Sequence, residues 1–486
     1  MARRMGAGRA AGGGTFVTEH GLIVATTAID MGAPAVDPLS EKSVRSTAGN
    51  SRVLVACFVL ALCVPIQFYL GDLRLSFYRI ALLLFIFPAA TRFLLDKGIR
   101  WRLADWLILF HCLWMATALV SNGAGIESAG ISIIETAGAW LLGRVYVRDL
   151  GGFVSMVRVL FLCVILSIPF AVYEAVTGVP IVLEMLDKIA TVLPNVPHEQ
   201  RFGVDRAQVV FDHPILYGMF CSLAFTLSIY VLGGPRSGAT RLLRGAGVGV
   251  ATFLSLSSGA LVCLAVQGAL MSYDFVLRSV RARWVIMLSG AGILYAALEI
   301  ASSRTVPELL IPLLALNPGT AWTRLAVNDA AIIDIIAHPW LGYGLNAWVP
   351  STPVPTASID NFWLVIAFRS GLPGIFSLVL AVLASVWTLA CAKGMSPAGN
   401  ACRTAICVTI IAFCISVLTV HLWNASYCIF VFMLACGLWV ADTPPGVDEP
   451  SATGARSLPL ARPGTMFSRF ECVSQPVKYR RRPHDT

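Results

Sequence analysis

Long blocks of apolar residues, separated by short polar stretches, dominate the chain. About twelve blocks begin near residues 53, 80, 105, 127, 158, 214, 245, 260, 284, 360, 404 and 423. A helix needs roughly 20 mostly apolar residues to cross a bilayer core, and the strand alternation of membrane barrels is absent from the blocks. The pattern predicts an all-α polytopic helical membrane protein with about 12 transmembrane helices. The blocks from 245 and 260, joined through Ser257, Ser258 and Gly259, leave one re-entrant pair as an alternative.

Composition agrees with the membrane class. Of 486 residues, 57% are hydrophobic and 13% are charged, about half the charged share of a typical soluble domain. The 13 cysteines lie mostly inside apolar blocks, where small packing residues are expected rather than disulfides. His and Cys residues show no metal-ligand spacing, so neither a metal nor a cofactor is predicted.

The basic residues predict the orientation, because Lys and Arg accumulate in cytoplasmic loops. With the N-terminus inside, few of the 36 Lys and Arg residues face outward, namely Arg74, Arg79, Lys188, Arg201, Arg206, Arg304, Arg324 and Arg369. Both termini are therefore expected in the cytoplasm. The net charge of +9 follows from this topology and gives no indication of nucleic-acid binding.

Three regions follow along the chain. Residues 1–50, rich in Gly, Ala and Arg, are expected to be a disordered cytoplasmic arm, and residues 443–486 a disordered basic cytoplasmic tail. Residues 51–442 form the predicted transmembrane domain. Two long outward loops interrupt it, at about 176–213 and 302–359, and short interfacial helices are expected in the second. Loops this long in a compact protein are usually functional.

The stretch RFGVDRAQVVFDHPILYGMF, residues 201–220, concentrates charge at the mouth of an apolar helix. Arg201 and Arg206 lie here, and Arg304 and Arg324 lie in the second loop. Taken singly, Arg201, Asp205 and Arg206 could equally well be solvent-exposed residues that hold the next helix at the membrane interface. Together, their planar forks suit phosphate oxygens, so the two loops predict an anionic ligand at the outer leaflet, such as a lipid-linked diphosphate.

Four segments carry a family resemblance: RAQVVFDHPILYG, the Gly-Arg pair in ETAGAWLLGRVYVRD, TRLAVNDAAIIDIIAHPWLGYGLNAW and SIDNFWLVIAFRSGLPG. In order and spacing, they resemble the superfamily of bacterial O-antigen ligases and of O-antigen and exopolysaccharide polymerases, over roughly residues 50–440. The resemblance implies an inner-membrane glycosyltransferase that needs no metal. It also implies an undecaprenyl-pyrophosphate-linked oligosaccharide as donor and as acceptor at the periplasmic face. Polysaccharide export or chain-length proteins are the further partners implied, besides the lipid bilayer.

The resemblance also implies roles for single residues. Arg206 and Arg324 would stabilise the departing diphosphate, with Arg201 and Arg304 in support. Asp360 stands where ligases commonly carry a histidine, which favours the polymerase branch; it could act as the general base or orient Arg324. The substrate-binding candidates are His213, His338, Asn361, Gly342 and Gly344. Structural roles compete for each of them: loop hydrogen bonds for the histidines, helix capping for Asn361 and tight turns for the glycines.

Two other functions stay open. A ligase would use the same chemistry to transfer the glycan to lipid A core or to protein. A transporter of the lipid-linked glycan would need polar residues spread through midplane helices and an internal repeat. The few charges within the apolar blocks do not follow that pattern. One of these charges, Glu135, is expected to face the interior, paired with an arginine such as Arg144.

Overall fold

The computed structural model describes residues 38–442 apart from 72, 195–198, 234–237, 281, 303–304, 307 and 310–317. These residues are mostly helical. The helices are α1 Pro38–Ala61, α2 Phe77–Leu95, α3 Leu103–Ser121, α4 Ile126–Ile133, α5 Ala139–Tyr146, α6 Leu150–Thr177, α7 Ile181–Asp187, α8 Pro214–Tyr230, α9 Gly238–Leu254, α10 Ser258–Val276, α11 Arg283–Ala301, α12 Pro318–Ala337, α13 Phe362–Cys391, α14 Pro397–Ser416, α15 Asn424–Cys436 and α16 Trp439–Asp442. A π-helical segment, Ile134–Gly138, joins α4 to α5.

Every predicted apolar block lies in a helix or in a helix with a short break. Among the described residues, eight helical segments are long and apolar enough to cross a membrane: Phe77–Leu95, Leu103–Ser121, Leu150–Thr177, Ser258–Val276, Arg283–Ala301, Phe362–Cys391, Pro397–Ser416 and Asn424–Asp442. The shorter apolar helices are Gly49–Ala61 and Pro214–Tyr230. The expectation of a helical membrane protein is confirmed at this level.

The N-terminal boundary differs from the prediction. Helix α1 begins at Pro38, so residues 38–50, expected in the disordered arm, are helical. Proline suits the first turn of a helix because its missing N–H would have no partner there. Contacts divide the chain after Thr47, and everything below concerns the unit that follows. Residues 1–37 and the predicted tail from 443 lie outside the described residues.

Successive long helices run antiparallel to one another, so the ends of the helices lie on two opposite sides of the bundle. At the level called here the site end, backbone N–H groups of three loops bond to the ends of other helices: Asp205 to Ala175, Ala207 to Leu254 and Phe362 to Val417, at 3.0 to 3.2 Å between N and O. At the opposite end, Arg102 and Arg144 both bond to Asp442. All the described candidate residues lie at the site end.

Burial shows how the bundle is arranged. The segment Asn424–Asp442 is the most buried of the candidate spans, with 83% of its apolar window inside the protein, whereas Arg283–Ala301 has none. Helix α15 therefore lies at the centre, against α5 and α8, and α11 lies at the periphery. The start of this central helix contacts the loop before α8, through Asn424 and Asp212.

Two elements at the site end were not predicted in this form. Strands β1 Gln67–Leu70 and β2 Leu73–Ser76 form an antiparallel hairpin in which Leu70 pairs with Leu73, and Gly71 has the positive φ that such a tight turn requires. The described part of the second long loop holds α12, a 20-residue helix, whereas residues 307 and 310–317, where a short interfacial helix was expected, lie outside the described residues. The apolar face of α12, including Val327 and Ala331, packs on α13.

Candidate functional site

The loop before α8 is held in a strained conformation. Val209 has φ 55°, which is a genuine outlier for a β-branched residue. The Glu174 carboxylate, buried at the end of α6, accepts the N–H groups of Gln208 and Val209 at 2.9 Å each. The Ala207 N–H donates to the carbonyl of Leu254 at 3.0 Å. Strain of this kind persists only where the surroundings enforce it, and it concentrates at functional sites.

Arg201 and Arg206 extend from this loop to the turn between α9 and α10. Arg201 Nη1 donates to the Leu256 carbonyl at 2.7 Å, and Arg206 Nε donates to the Ser255 carbonyl at 3.3 Å. Leu256 also has a positive φ, of 46°. Arg206 Nη2 is buried and has no hydrogen-bond partner among the described residues. Each of these hydrogen bonds thus holds one nitrogen of a guanidinium group, while other N–H groups of the same side chain can still donate to a ligand.

Arg324 approaches from α12, and its side chain is 10% exposed. Its Nε lies 3.7 Å from Asp360 Oδ2, beyond hydrogen-bond distance, and is otherwise unpartnered within the described structure. Burial lowers the pKa of Arg206 to about 10, and the charges of Arg201 and Arg324 act in the same direction. Burial and the charge of Arg324 also lower the pKa of Arg201. Arginines from two separate segments therefore lie close enough to repel one another.

These three arginines, called here the arginine cluster, can bind an oxyanion. Burial lowers the pKa of Arg324, and the nearby carboxylate of Asp360 opposes that shift only in part. Buried guanidinium N–H groups without partners are costly. An oxyanion would accept hydrogen bonds from these N–H groups, and its negative charge would offset the repulsion among the arginines. Guanidinium forks also match phosphate oxygens in geometry.

The two candidate histidines have structural contacts. His213 caps α8, since its Nδ1 accepts the Ile215 N–H at 3.1 Å, and its ring lies 6.2 Å from that of Trp423. His338 is exposed just after α12, where its ring lies edge-on to Tyr343 at 4.5 Å. Neither contact involves the arginine cluster.

Asn361 also has a structural role at the start of a helix. Its side-chain oxygen accepts the N–H groups of Trp363 and Leu364, at 3.0 and 3.3 Å, as the N-cap of α13. Capping accounts for its oxygen, whereas a sugar contact through its amide nitrogen stays a prediction. Arg304, the remaining cationic candidate, lies outside the described residues.

Gly342 and Gly344 belong to a turn that docks on a break in α13. Gly371 interrupts that helix with φ 69° and ψ −174°, which frees carbonyl groups in the preceding turn. The N–H groups of Tyr343 and Gly344 bond to the carbonyls of Phe368 and Arg369 at 2.7 and 3.1 Å. A Cβ on Gly342 would lie 2.3 Å from the Phe368 carbonyl oxygen. Close backbone approach therefore explains Gly342. At Gly344, the φ of 67° and the Asn122 side chain, 2.6 Å from where a Cβ would lie, explain the glycine.

Sequence reasoning missed a second polar network at the site end. Glu135 pairs with Arg79, at 2.8 Å between Oε1 and Nε, and not with Arg144 as expected. The π-helical segment includes Glu135 and breaks the regular helical register, which hides this pairing from sequence periodicity. Asn424 links the network onward, because its side chain accepts from Arg74 and donates to Asp212 at 3.0 Å each. The only signal in the sequence was charge inside apolar blocks.

Arg144 instead belongs to an ion-pair network at the opposite end of the bundle. Its guanidinium bonds to Asp105 and Asp442 at 2.9 and 2.7 Å between nitrogen and oxygen. The expectation that it pairs with Glu135 was wrong, because the two residues, nine positions apart, lie at different levels of the bundle. This network ties the end of α16 to α3 and α5.

Comparison with protein-family models and with curated proteins finds no match for this chain. The described residues contain no group of three His, Cys, Asp or Glu side chains that could hold a metal ion. The arginine cluster is thus the described group of side chains best suited to bind a charged ligand.

Proposed function

We propose that this protein is a bacterial inner-membrane glycosyltransferase that polymerises lipid-linked oligosaccharide repeat units at the periplasmic face. One observation carries the proposal. The arginine cluster combines side chains from two segments that are far apart in the sequence, and it keeps buried guanidinium N–H groups that have no partner among the described residues. An undecaprenyl diphosphate suits such a site, because its headgroup lies at the membrane surface while its tail remains in the bilayer.

In the proposed reaction, a hydroxyl oxygen of the acceptor repeat unit attacks the anomeric carbon of the donor sugar. The new bond joins that oxygen to the anomeric carbon, and the bond from this carbon to the diphosphate oxygen breaks. The electron pair of the broken bond stays on the diphosphate. Arg201, Arg206 and Arg324 stabilise the charge that develops there. Arg201 and Arg206 need little reorganisation, because the carbonyls of the α9–α10 turn already hold them.

The acceptor hydroxyl loses its proton to a base, and Asp360 is the candidate. Its side chain is 46% exposed beside Arg324, so a carboxylate at this point can meet a substrate hydroxyl. Asp360 could instead orient Arg324 through their ion pair. Asp360→Asn separates the roles: near-normal turnover excludes proton abstraction, whereas a large loss of kcat with unchanged donor binding supports it.

The topology in this proposal has both termini in the cytoplasm and about twelve membrane-spanning helices. Basic residues support it, because Arg100, Arg102, Arg144 and Arg148 lie at the end opposite the arginine cluster, and Lys and Arg favour the cytoplasmic side. Cysteine labelling of Val204→Cys and Lys97→Cys, one at each end, tests this orientation. Labelling of position 204 from the cytoplasmic side would contradict the proposal.

Deletion of the gene with polymer-length analysis tests the reaction type. A polymerase predicts loss of long chains while single repeat units still reach their final acceptor. A ligase, the alternative within the same chemistry, predicts full-length lipid-linked polymer that is never transferred to lipid A core or to protein. A transporter predicts repeat units that stay on the cytoplasmic face. Supporting partners, such as export or chain-length proteins, would alter chain length without abolishing polymerisation.

A further inference from the structure

The hairpin of β1 and β2 has one polar and one apolar face. Alternate positions along a strand and paired positions across two strands share a face, and the register pairs Gln67 with Ser76 and Tyr69 with Arg74. These four polar side chains therefore lie on one face. The opposite face carries apolar side chains, including Phe68, which is 44% exposed, whereas Gln67 and Ser76 are buried. The hairpin thus turns polar groups towards the protein interior.

The polar face of the hairpin forms one wall of a cleft at the site end, called here the hairpin cleft. Gln67, Arg74 and Ser76 line it, together with Asp212 in the loop before α8 and Asn424 at the start of α15. Apolar side chains from the end of α1 and from the loop before α8 complete the lining. The space at its base admits about one group of the size of a water molecule or a hydroxyl.

Asn424 orients the carboxylate of Asp212 in this cleft. Its side-chain oxygen accepts from Arg74 Nη2 at 3.0 Å and from Arg79 Nη2 at 3.3 Å. Its amide nitrogen is therefore the group that donates to Asp212 Oδ1, at 3.0 Å. Asn424 keeps this position with a φ of 52°, and Arg79 is itself held by Glu135. The carboxylate is thus fixed through one oxygen, while Oδ2 accepts from no other residue in the described structure.

The hydrogen-bonding groups around the cleft match a hydroxyl of a ligand. Ser76 Oγ is buried and has no hydrogen-bond partner among the described residues. Gln67 accepts the Tyr69 hydroxyl through its oxygen at 3.2 Å, which leaves its amide nitrogen as a donor. Asp212 Oδ2 supplies an acceptor. A hydroxyl can donate to the carboxylate and accept from the amide or from the serine, because it has both functions.

The charges around the cleft disfavour an ionic ligand. Arg74 and Asp212 are linked through the amide of Asn424, and Arg79 forms an ion pair with Glu135. The two positive charges are thus matched by two negative ones. An anion would meet the carboxylate of Asp212, and a cation would meet the guanidinium of Arg74. The cleft therefore suits a neutral ligand with several hydroxyl groups.

We propose that the hairpin cleft binds a neutral sugar, with one sugar hydroxyl donating to Asp212 Oδ2 and the ring lying against Tyr69. The Tyr69 side chain is 60% exposed on the same face, so its ring can contact the apolar face of a sugar. Asp212 follows Arg206 by six residues, a span of at most about 22 Å between Cα atoms, which an oligosaccharide can bridge. That the sugar belongs to the repeat unit rests on the proposed function, whereas the site itself does not.

Saturation-transfer NMR of the full-length protein in nanodiscs, which avoid sugar-containing detergents, tests this inference. The probes are the methyl glycosides of glucose, galactose, mannose and rhamnose, with glucuronate as an acidic counterpart. At least one neutral glycoside is expected to bind, and glucuronate is expected to bind more weakly. Asp212→Asn should weaken binding by about tenfold or more, because the new amide turns its oxygen to Asn424 and presents a donor to the cleft. Ser76→Ala should weaken it by about 2- to 10-fold.

The chain offers a matched control for each variant. Ser426 Oγ is also buried without a partner among the described residues, but Ser426 does not line the cleft, so Ser426→Ala should bind the glycoside as the wild type does. Asp205 lies in the same loop as Asp212 and accepts from Gln200, and Asp205→Asn should also bind normally. Ser76→Ala removes only a group without a described partner, so it keeps the test valid if Asp212→Asn does not fold.

Several results would overturn the sugar site. They are no binding of any neutral glycoside by the wild type, unchanged affinity in Ser76→Ala, an equal loss in the control variants, and tighter binding of glucuronate than of the neutral glycosides. The measurement needs no lipid-linked donor, so it is independent of polymerisation. A protein that binds the glycoside through Asp212 and Ser76 but does not polymerise keeps the sugar site and contradicts the proposed function. A protein that polymerises without this binding contradicts the sugar site alone.

Discussion

The docked turn between α12 and α13 predicts the effect of a single methyl group, in Gly342→Ala. Gly342 has φ 59°, and a Cβ there would lie 2.3 Å from the Phe368 carbonyl oxygen and 2.9 Å from the Gly371 nitrogen. All these atoms belong to the backbone, so no flexible side chain can move aside. The turn has to withdraw from the helix break.

The cost has two parts. A left-handed conformation costs a residue with a side chain about 1–2 kcal/mol. Withdrawal also removes the hydrogen bonds from Tyr343 and Gly344 to the carbonyls of Phe368 and Arg369, each worth about 0.5–1.5 kcal/mol. The substitution should therefore destabilise the protein by about 2–5 kcal/mol.

Thermal unfolding of purified protein in detergent measures this loss of stability. Gly268→Ala is the matched control, since a Cβ there meets nothing within 4 Å in helix α10; it should be neutral or slightly stabilising. If Gly342→Ala unfolds at the same temperature as this control, the docked turn does not have the geometry described.

Three other changes test separate parts of the structure. Arg206→Lys should lower donor affinity or turnover by about 10- to 150-fold, because one charge-assisted hydrogen bond is worth about 1.5–3 kcal/mol and each tenfold change is about 1.4 kcal/mol. Arg158→Lys is the control. Full activity of the Arg206→Lys variant would remove Arg206 from the site. Glu135→Gln should lower the free energy of unfolding by about 3–5 kcal/mol, because it leaves the buried Arg79 without its carboxylate partner. Asp149→Asn, in an exposed pair with Arg52, is the control and should lower it by about 0–1 kcal/mol. In the wild type, the free energy of unfolding should decrease as pH falls from about 6.5 towards 3, because His421 takes up a proton in the unfolded state but not in the folded state. His421→Gln should reduce this dependence on pH. An unchanged dependence would mean that His421 is not buried as described.

Sequence periodicity predicted the helices well because membrane-spanning segments carry a strong local signal. The segment that contains Glu135 was predicted as one continuous helix. The π-helical interruption within it was not predicted. The hairpin at Gln67–Ser76 was also missed, because four-residue strands between long apolar helices leave little pattern to detect. Local composition therefore predicted where helices lie, but not where their regular geometry is interrupted.

The contacts within the site were only partly predictable. The charges of Arg206 and Arg324 in two long loops indicated that these segments share a site, and the structure brings them together. Partners such as Arg74 and Asn424, 350 residues apart, leave no signal in a single sequence. The same limit applies to the ion pair between Arg79 and Glu135, which becomes evident only once the surrounding helices are in place.

Arg144 and Arg206, at opposite ends of the bundle, differ in how many of their side-chain nitrogens have partners in the described structure. Arg144, with a side chain 1% exposed, uses all three nitrogens: Nε and Nη2 bond to Asp105, Nη1 bonds to Asp442, and Nη2 also reaches the Arg100 carbonyl. Arg206 has one long bond to a carbonyl and a buried Nη2 with no partner in the described structure. Two carboxylates bond to Arg144, whereas no described carboxylate bonds to Arg206, on which the charge of Glu199 acts only from a distance. Since an unpaired buried charge costs several kcal/mol, an anion that arrives with the substrate, as in the proposed function, would supply the partner that Arg206 Nη2 lacks among the described residues.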